Sequence, residues 1–306
     1  MTVNHDVEGN LSRGPLRCGS DVLLLDGATG TELDRRGVDI SLPLWSARAI
    51  EEAPDVLKLV HQKYLDAGAA GITTNTFRTH QRSLAKAGVG DKAQALTSKA
   101  VAIARAACDE VNSDGLVFGS VAPLEDCYSP ALAPDADACR REHGQLIDHL
   151  VTAGVDFVFL ETMCSAVESR AAMEAAQHHA SGQWGISFCL SSDSPGDLLD
   201  GTPVRALGPI LFESQFIGIN CVSADILADQ VRHVREALGE DVVIAAYGNV
   251  GFADEHGSWV STDAIEPHRY ATYAMDWIEA GASIVGGCCG TTPETIRAIR
   301  ERLNLR

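Results

Sequence analysis

Short, continuous apolar runs alternate along this chain with longer segments in which apolar residues recur every three or four positions. Apolar runs of about four to eight residues read as strands buried on both faces, and the longer period reads as helices that cover them. The strand-like runs are Val22-Leu23-Leu24-Leu25-Asp26, Ala69 to Asn75, Leu116 to Ser120, Asp156 to Glu161, Trp184 to Leu190, Phe216 to Asn220, Val242 to Tyr247 and Ala282 to Gly287. Between and after them, helices are predicted over about Pro54 to Ala67, Lys92 to Val111, Ala136 to Ala153, Ala166 to Ala180, Pro203 to Phe212, Ser223 (as cap) to Leu238, Glu266 to Ala280 and Pro293 to Leu303. Alternating strands and helices imply a parallel sheet with helices outside, and a count of eight closes the sheet. The expectation is a single (β/α)8 TIM barrel. A doubly wound open sheet usually has fewer strands and needs a switch point.

The 306 residues suit one such barrel, which typically takes ~250. Residues 21–306 are assigned to it, and residues 1–20, rich in Gly, Ser and Asn, to a flexible arm. The segment through Pro123, Pro130 and Pro134 is longer than a usual connection and reads as a lid or an interface. A net charge of −18 argues against nucleic acid or an anionic membrane as partner, since both call for basic patches. No apolar run approaches the roughly 18 residues that span a bilayer. The N-terminus lacks the apolar core of a signal peptide, so a cytoplasmic location is expected. In that compartment the nine cysteines should be thiols, most of them small buried hydrophobes.

Cys288 and Cys289 do not fit that description. They stand between glycines where the eighth strand hands over to the last helix, with Thr292 as a plausible N-cap and Pro293 at the first helical position. Cys221 ends the sixth strand in the same way. Three thiols at the C-terminal ends of two strands could converge on one soft metal ion. A free vicinal pair or a redox switch is the other reading. Three thiolates match zinc and leave a fourth position open, as in a catalytic site, whereas the spacing does not match a zinc finger. So electron-rich a zinc polarises carbonyls poorly. It suits the binding of a substrate thiol as thiolate, still nucleophilic toward carbon.

Active sites of such barrels lie at the C-terminal strand ends. Asp26, Asn75, Glu161, Asn220 and Tyr247 belong there with the cysteines. The turn Asp26-Gly27-Ala28-Thr29-Gly30-Thr31-Glu32 is either a tight connection or a loop whose backbone and Asp26 approach a ligand. It is not a P-loop, because no Gly-Lys-Ser/Thr follows.

Five stretches resemble the homocysteine S-methyltransferase family: Asp26-Gly27-Ala28-Thr29-Gly30-Thr31, Asn75-Thr76-Phe77, Glu161-Thr162, Gly218-Ile219-Asn220-Cys221 and Gly286-Gly287-Cys288-Cys289-Gly290-Thr291-Thr292-Pro293. The resemblance covers residues 20–303. It implies a barrel that holds Zn2+ on Cys221, Cys288 and Cys289 and takes homocysteine as methyl acceptor. It further implies that Glu161 binds the substrate ammonium and that the Asp26-Gly27 turn holds the amino-acid end. The matched motifs put Thr29, Asn75 and Asn220 in the same substrate set. Asn220 is also placed to orient the metal loop.

The donor is expected to be a small sulfonium, S-methylmethionine or S-adenosylmethionine. Aromatic faces stabilise such cations, and Trp45, Phe77 and Tyr247 are the candidates. The betaine enzymes of the family carry a tyrosine where this chain has Thr162, which weakens betaine as donor; betaine or another onium compound, or another thiol or selenol acceptor, is the alternative. Partners are thus a small thiol and a small donor, and a homo-oligomer is compatible with this reading. Two other classes rank below it. A barrel hydrolase using Asp26 and Glu161 as its carboxylate pair leaves the three cysteines unexplained. A zinc- or thiol-sensing binding protein would have the metal site without methyl transfer.

Overall fold

A computed structural model describes residues 22–111, 114–253 and 259–304. The expected arm over residues 1–20, with Cys18, lies outside them. The apolar runs form eight parallel strands: β1 (Leu23–Leu24), β2 (Gly71–Thr73), β3 (Leu116–Val121), β4 (Phe157–Met163), β5 (Trp184–Phe188), β6 (Ile217–Ser223), β7 (Ile244–Asn249) and, after a small hairpin of β8 (Gly251–Ala253) and β9 (Trp259–Ser261), β10 (Ile284–Gly287). Their order in the sheet is β1-β10-β7-β6-β5-β4-β3-β2. A parallel bridge between Leu25 and Gly71 joins the two ends. Asp26 N–H donates to the Gly71 carbonyl at 3.0 Å and Ala70 N–H to the Leu24 carbonyl at 2.7 Å, which closes the barrel. The (β/α)8 expectation therefore holds.

The helices are α1 (Thr29–Arg35), α2 (Ala49–Glu52), α3 (Pro54–Ala67), α4 (Gln81–Lys86), α5 (Ala93–Val111), α6 (Ala136–Ala153), α7 (Ala166–His179), α8 (Leu227–Leu238), α9 (Pro267–Glu279) and α10 (Pro293–Leu303). Their boundaries follow local chemistry. The Asp135 and Ser165 side chains accept from Ala138 N–H and Glu168 N–H, capping α6 and α7. Thr292 and Thr295 form a reciprocal capping box at α10, with Pro293 behind the cap. Inside the barrel, Phe118, Phe157, Phe159 and Phe216 fill the lower lumen with ring centroids 4.9 to 6.3 Å apart. The lumen is thus a packed core, and a cavity opens above it, at the C-terminal strand ends.

Several expected elements differ. Ser223 does not cap α8. Ala224 N–H still pairs with the Asn249 carbonyl at 3.0 Å, so β6 runs on through Ser223 and α8 begins at Leu227 without a side-chain cap. The helix expected over Pro203 to Phe212 is two 3-10 turns, Val204–Leu207 and Pro209–Glu213. Gly208, at φ 92°, and Pro209 interrupt it, since proline disfavours helical backbone before it. The glycine-rich turn after β1 opens directly into α1, and α4 was not anticipated. The polar loop expected over Asp254 to Thr262 contains β9, while residues 254–258 lie outside the described residues.

Candidate metal centre and substrate cavity

A cavity of about 360 Å³ opens at the C-terminal strand ends. Its wall includes Asp26, Gly27, Thr29, Asn75, Glu161, Tyr247, Trp45, Phe77 and all three cysteines predicted as ligands. Asn220 is fully buried behind the wall.

The three sulfurs of Cys221, Cys288 and Cys289 lie within 4.8 Å of one another, and those of Cys221 and Cys288 are 3.4 Å apart. A tetrahedral ion with Zn–S of ~2.3 Å requires sulfur separations of ~3.8 Å, so the donor set fits zinc. The charge pattern agrees. Cys288 and then Cys289 hydrogen-bond to the Cys221 sulfur and hold its thiol well below the usual range. Their own thiols are raised by the same sulfur. A bound cation would displace the thiol protons of this set. The Tyr128 phenol, from the long loop after β3, reaches the Cys221 sulfur at 3.1 Å.

The Gly-Gly-Cys-Cys turn is locked into its neighbours. Thr291 Oγ1 donates to the Cys288 carbonyl at 2.7 Å and accepts from Ala28 N–H at 3.1 Å. This joins the β10 loop to the β1 loop. A Cβ on Gly287 would lie 2.3 Å from Thr291 Oγ1, so only glycine allows the approach. Cys289 N–H donates to Asn249 Oδ1 at 3.0 Å.

Cys221 and Thr162 share an unusual backbone. Both have left-handed φ, 60° and 62°, and both interrupt strand register, in β6 between Asn220 and Ser223 and in β4 between Leu160 and Met163. Such bulges re-aim side chains next to active sites. Asn220 binds the two together. Thr162 N–H donates to its Oδ1 at 3.0 Å, and its Nδ2 donates to Thr162 Oγ1 at 2.8 Å. Ser187 Oγ also donates to Asn220 Oδ1 and contacts the Tyr247 hydroxyl, both at 2.6 Å. Tyr247 donates onward to Glu161 at 3.5 Å, and Ser120 Oγ donates to the other Glu161 oxygen.

Glu161 carries a carboxyl raised to about 7, chiefly by burial and further by Cys221, against its Ser120 hydrogen bond. Burial likewise raises Asp26 to about 8, with repulsion from Glu161 added. Asp26 accepts from Thr73 N–H at 2.8 Å and from Thr73 Oγ1 at 3.1 Å, so it also ties the β1 loop to β2.

The aromatic candidates separate into two places. Trp45 and Phe77 meet edge to face, 5.4 Å between centroids. Asn75 Nδ2 holds their loops together through the Ser46 carbonyl at 2.7 Å. Gly30 makes room for the indole, because a Cβ there would lie 2.4 Å from it. Tyr247 instead packs on Phe159 at 5.6 Å, at the top of the barrel lumen. The residue list from the sequence omitted Tyr128, Ser120, Ser187, Thr291 and Arg78. Tyr128 lies in the long loop after β3, Arg78 directly follows Phe77, and Thr291 lies within the Gly286–Pro293 stretch that resembles the family; Ser120 and Ser187 carry no signal in the sequence.

Comparison with known proteins agrees with this geometry. Residues 23–303 match the family model described as homocysteine S-methyltransferase. The chain belongs to that family. It is 30% identical to the homocysteine S-methyltransferase of Escherichia coli (strain K12), over 92% of this chain and 95% of that protein. It is 28% identical to a selenocysteine methyltransferase of Astragalus bisulcatus, over 92% of each. The crystal structure of the Escherichia coli homocysteine methyltransferase MmuM in its metallated form superposes with a TM-score of 0.79 at 29% identity, covering 92% of this chain and 96% of that one. Its oxidized form gives 0.81 at 28% identity, covering 95% and 100%. Among the described residues, no helix is long and apolar enough to cross a membrane.

Proposed function

We propose that the protein transfers a methyl group from a small sulfonium donor to the thiol of homocysteine, giving methionine, with Zn2+ held by Cys221, Cys288 and Cys289. The observation that carries this reading is the convergence of three thiols on a cavity that also presents Glu161. When bound, the zinc would keep the acceptor sulfur deprotonated at neutral pH.

The residues of the chain do the rest. Glu161 takes the acceptor's ammonium, which favours its ionised form. The loop over Asp26, Gly27 and Thr29, braced by Thr73 and Thr291, receives the amino-acid end. Asn75 fixes the Trp45–Phe77 pair, whose ring faces suit a sulfonium. The acceptor sulfur forms a bond to the methyl carbon as the donor's sulfur–methyl bond breaks. Its electron pair leaves on the donor sulfur, which becomes a neutral thioether, and the thiol proton goes to solvent. Positioning supplies much of the acceleration.

The test is a panel of donors (S-methylmethionine, S-adenosylmethionine, betaine) with zinc-loaded protein and homocysteine, methionine being read by mass spectrometry. Transfer from betaine alone would overturn the sulfonium reading. Selenocysteine belongs in the acceptor arm, because a relative of 28% identity is a selenocysteine methyltransferase.

A further inference from the structure

Arg78 is the one basic side chain on the described cavity wall, where the other charged residues are Asp26, Asp126 and Glu161. Its guanidinium carbon stands 5.5 Å from the Phe77 ring centroid, and Phe77 packs on Trp45. One of its N–H groups donates to the Glu125 carbonyl at 3.0 Å. Its Nε is buried without a hydrogen-bond partner. Among the described residues no carboxylate pairs with it, whereas Arg82, on α4, is paired with both Glu125 and Glu142. A guanidinium kept from internal carboxylates, with a buried donor unsatisfied, is set to accept a carboxylate from a ligand.

Under the function proposed above, Glu161 takes the ammonium of homocysteine and the Asp26 loop its amino-acid end, which leaves Arg78 without an assigned partner. Arg78 belongs to the Trp45–Phe77 wall. Its tether at Glu125 lies in the loop whose Tyr128 reaches the Cys221 sulfur, so Arg78 links the aromatic pair to that loop along the cavity wall. We infer that Arg78 binds the carboxylate of the methyl donor and so selects carboxylate-bearing sulfoniums, with an S-methylated amino acid as the class. This rests on the sulfonium reading. Arg78 takes no part in bond making; it fixes the donor's far end while the aromatic pair holds the sulfonium.

The test compares S-methylmethionine with its methyl ester, which keeps the sulfonium and lacks the carboxylate, using full-length zinc-loaded protein. In Arg78→Gln the donor KM for the acid should rise about 10- to 100-fold, while the ester's KM, the homocysteine KM and the zinc content stay within about threefold. Arg78→Lys should recover part of the loss. A rise in homocysteine KM instead would assign Arg78 to the acceptor and overturn the inference. So would equal losses on acid and ester at an unchanged melting temperature. Isothermal titration of acid and ester onto the wild-type protein reads the discrimination without turnover or any variant. There, an affinity ratio near one overturns the role of Arg78; in the separate turnover assay, absence of methyl transfer to homocysteine from S-methylmethionine, its ester and S-adenosylmethionine alike overturns the sulfonium reading itself.

Discussion

Asn220 and Thr162 hold each other through two hydrogen bonds, Thr162 N–H to Oδ1 at 3.0 Å and Nδ2 to Thr162 Oγ1 at 2.8 Å. The pair joins two left-handed residues, Thr162 beside Glu161 and Cys221 beside Asn220. Each such conformation costs about 1–2 kcal/mol outside glycine, so something must hold it. Asn220→Ala should lower stability by about 1–3 kcal/mol, because the buried Thr162 N–H loses its acceptor. It should also weaken zinc binding, as the Cys221 backbone relaxes. Denaturant unfolding and competition with a chelator measure the two effects.

Removal of any of the three sulfurs should empty the metal centre. Cys288→Ala is expected to lose stoichiometric zinc and at least about a thousandfold in methyl transfer. Cys108→Ala, altered in the outer helix α5, should retain both. Elemental analysis beside turnover decides the matter; a zinc-free Cys288→Ala protein of full activity would sink the mechanism.

The raised carboxyl of Glu161 sets a pH dependence. It is neutral below about 7 and ionised above. Ammonium capture therefore strengthens as pH rises, and the homocysteine KM should fall between pH ~6 and ~8. Glu161→Gln should flatten that profile and raise the KM about 10- to 100-fold. Stability runs the other way. A carboxyl raised by folding gives its full contribution below the ordinary value of 4.5 and loses it as pH passes through about 7. Melting curves of the ligand-free protein should thus show a steeper decline over this range than those of Glu161→Gln.

The Trp45–Phe77 pair should act on the donor alone. Trp45→Leu is expected to raise the donor KM about 3- to 30-fold, the range of a cation–ring contact, with little change in the homocysteine KM. Tyr247→Phe should behave differently, because its hydroxyl links Ser187 to Glu161. Its effect is expected on homocysteine. Steady-state kinetics with each substrate varied in turn separates the two.

The sequence by itself determined the barrel, because strands buried on both faces and amphipathic helices leave periodic patterns that eight repeats make unambiguous. It also singled out the three cysteines whose sulfurs converge: adjacent cysteines between glycines have no packing reason to exist, and Cys221 ends a strand in the same manner. The tertiary structure alone decided how these residues are held. The bulges at Thr162 and Cys221, the Ser187–Tyr247–Glu161 chain and the Thr291 link between the first and last strand loops join residues 58 to 263 positions apart. Hydroxyl contacts at such separations leave no local pattern. The same holds for Ser223, which would cap a helix by local chemistry but stays in β6 because its neighbour Ala224 is paired to β7. It holds too for Arg78, which pairs with no carboxylate among the described residues, a fact of three dimensions.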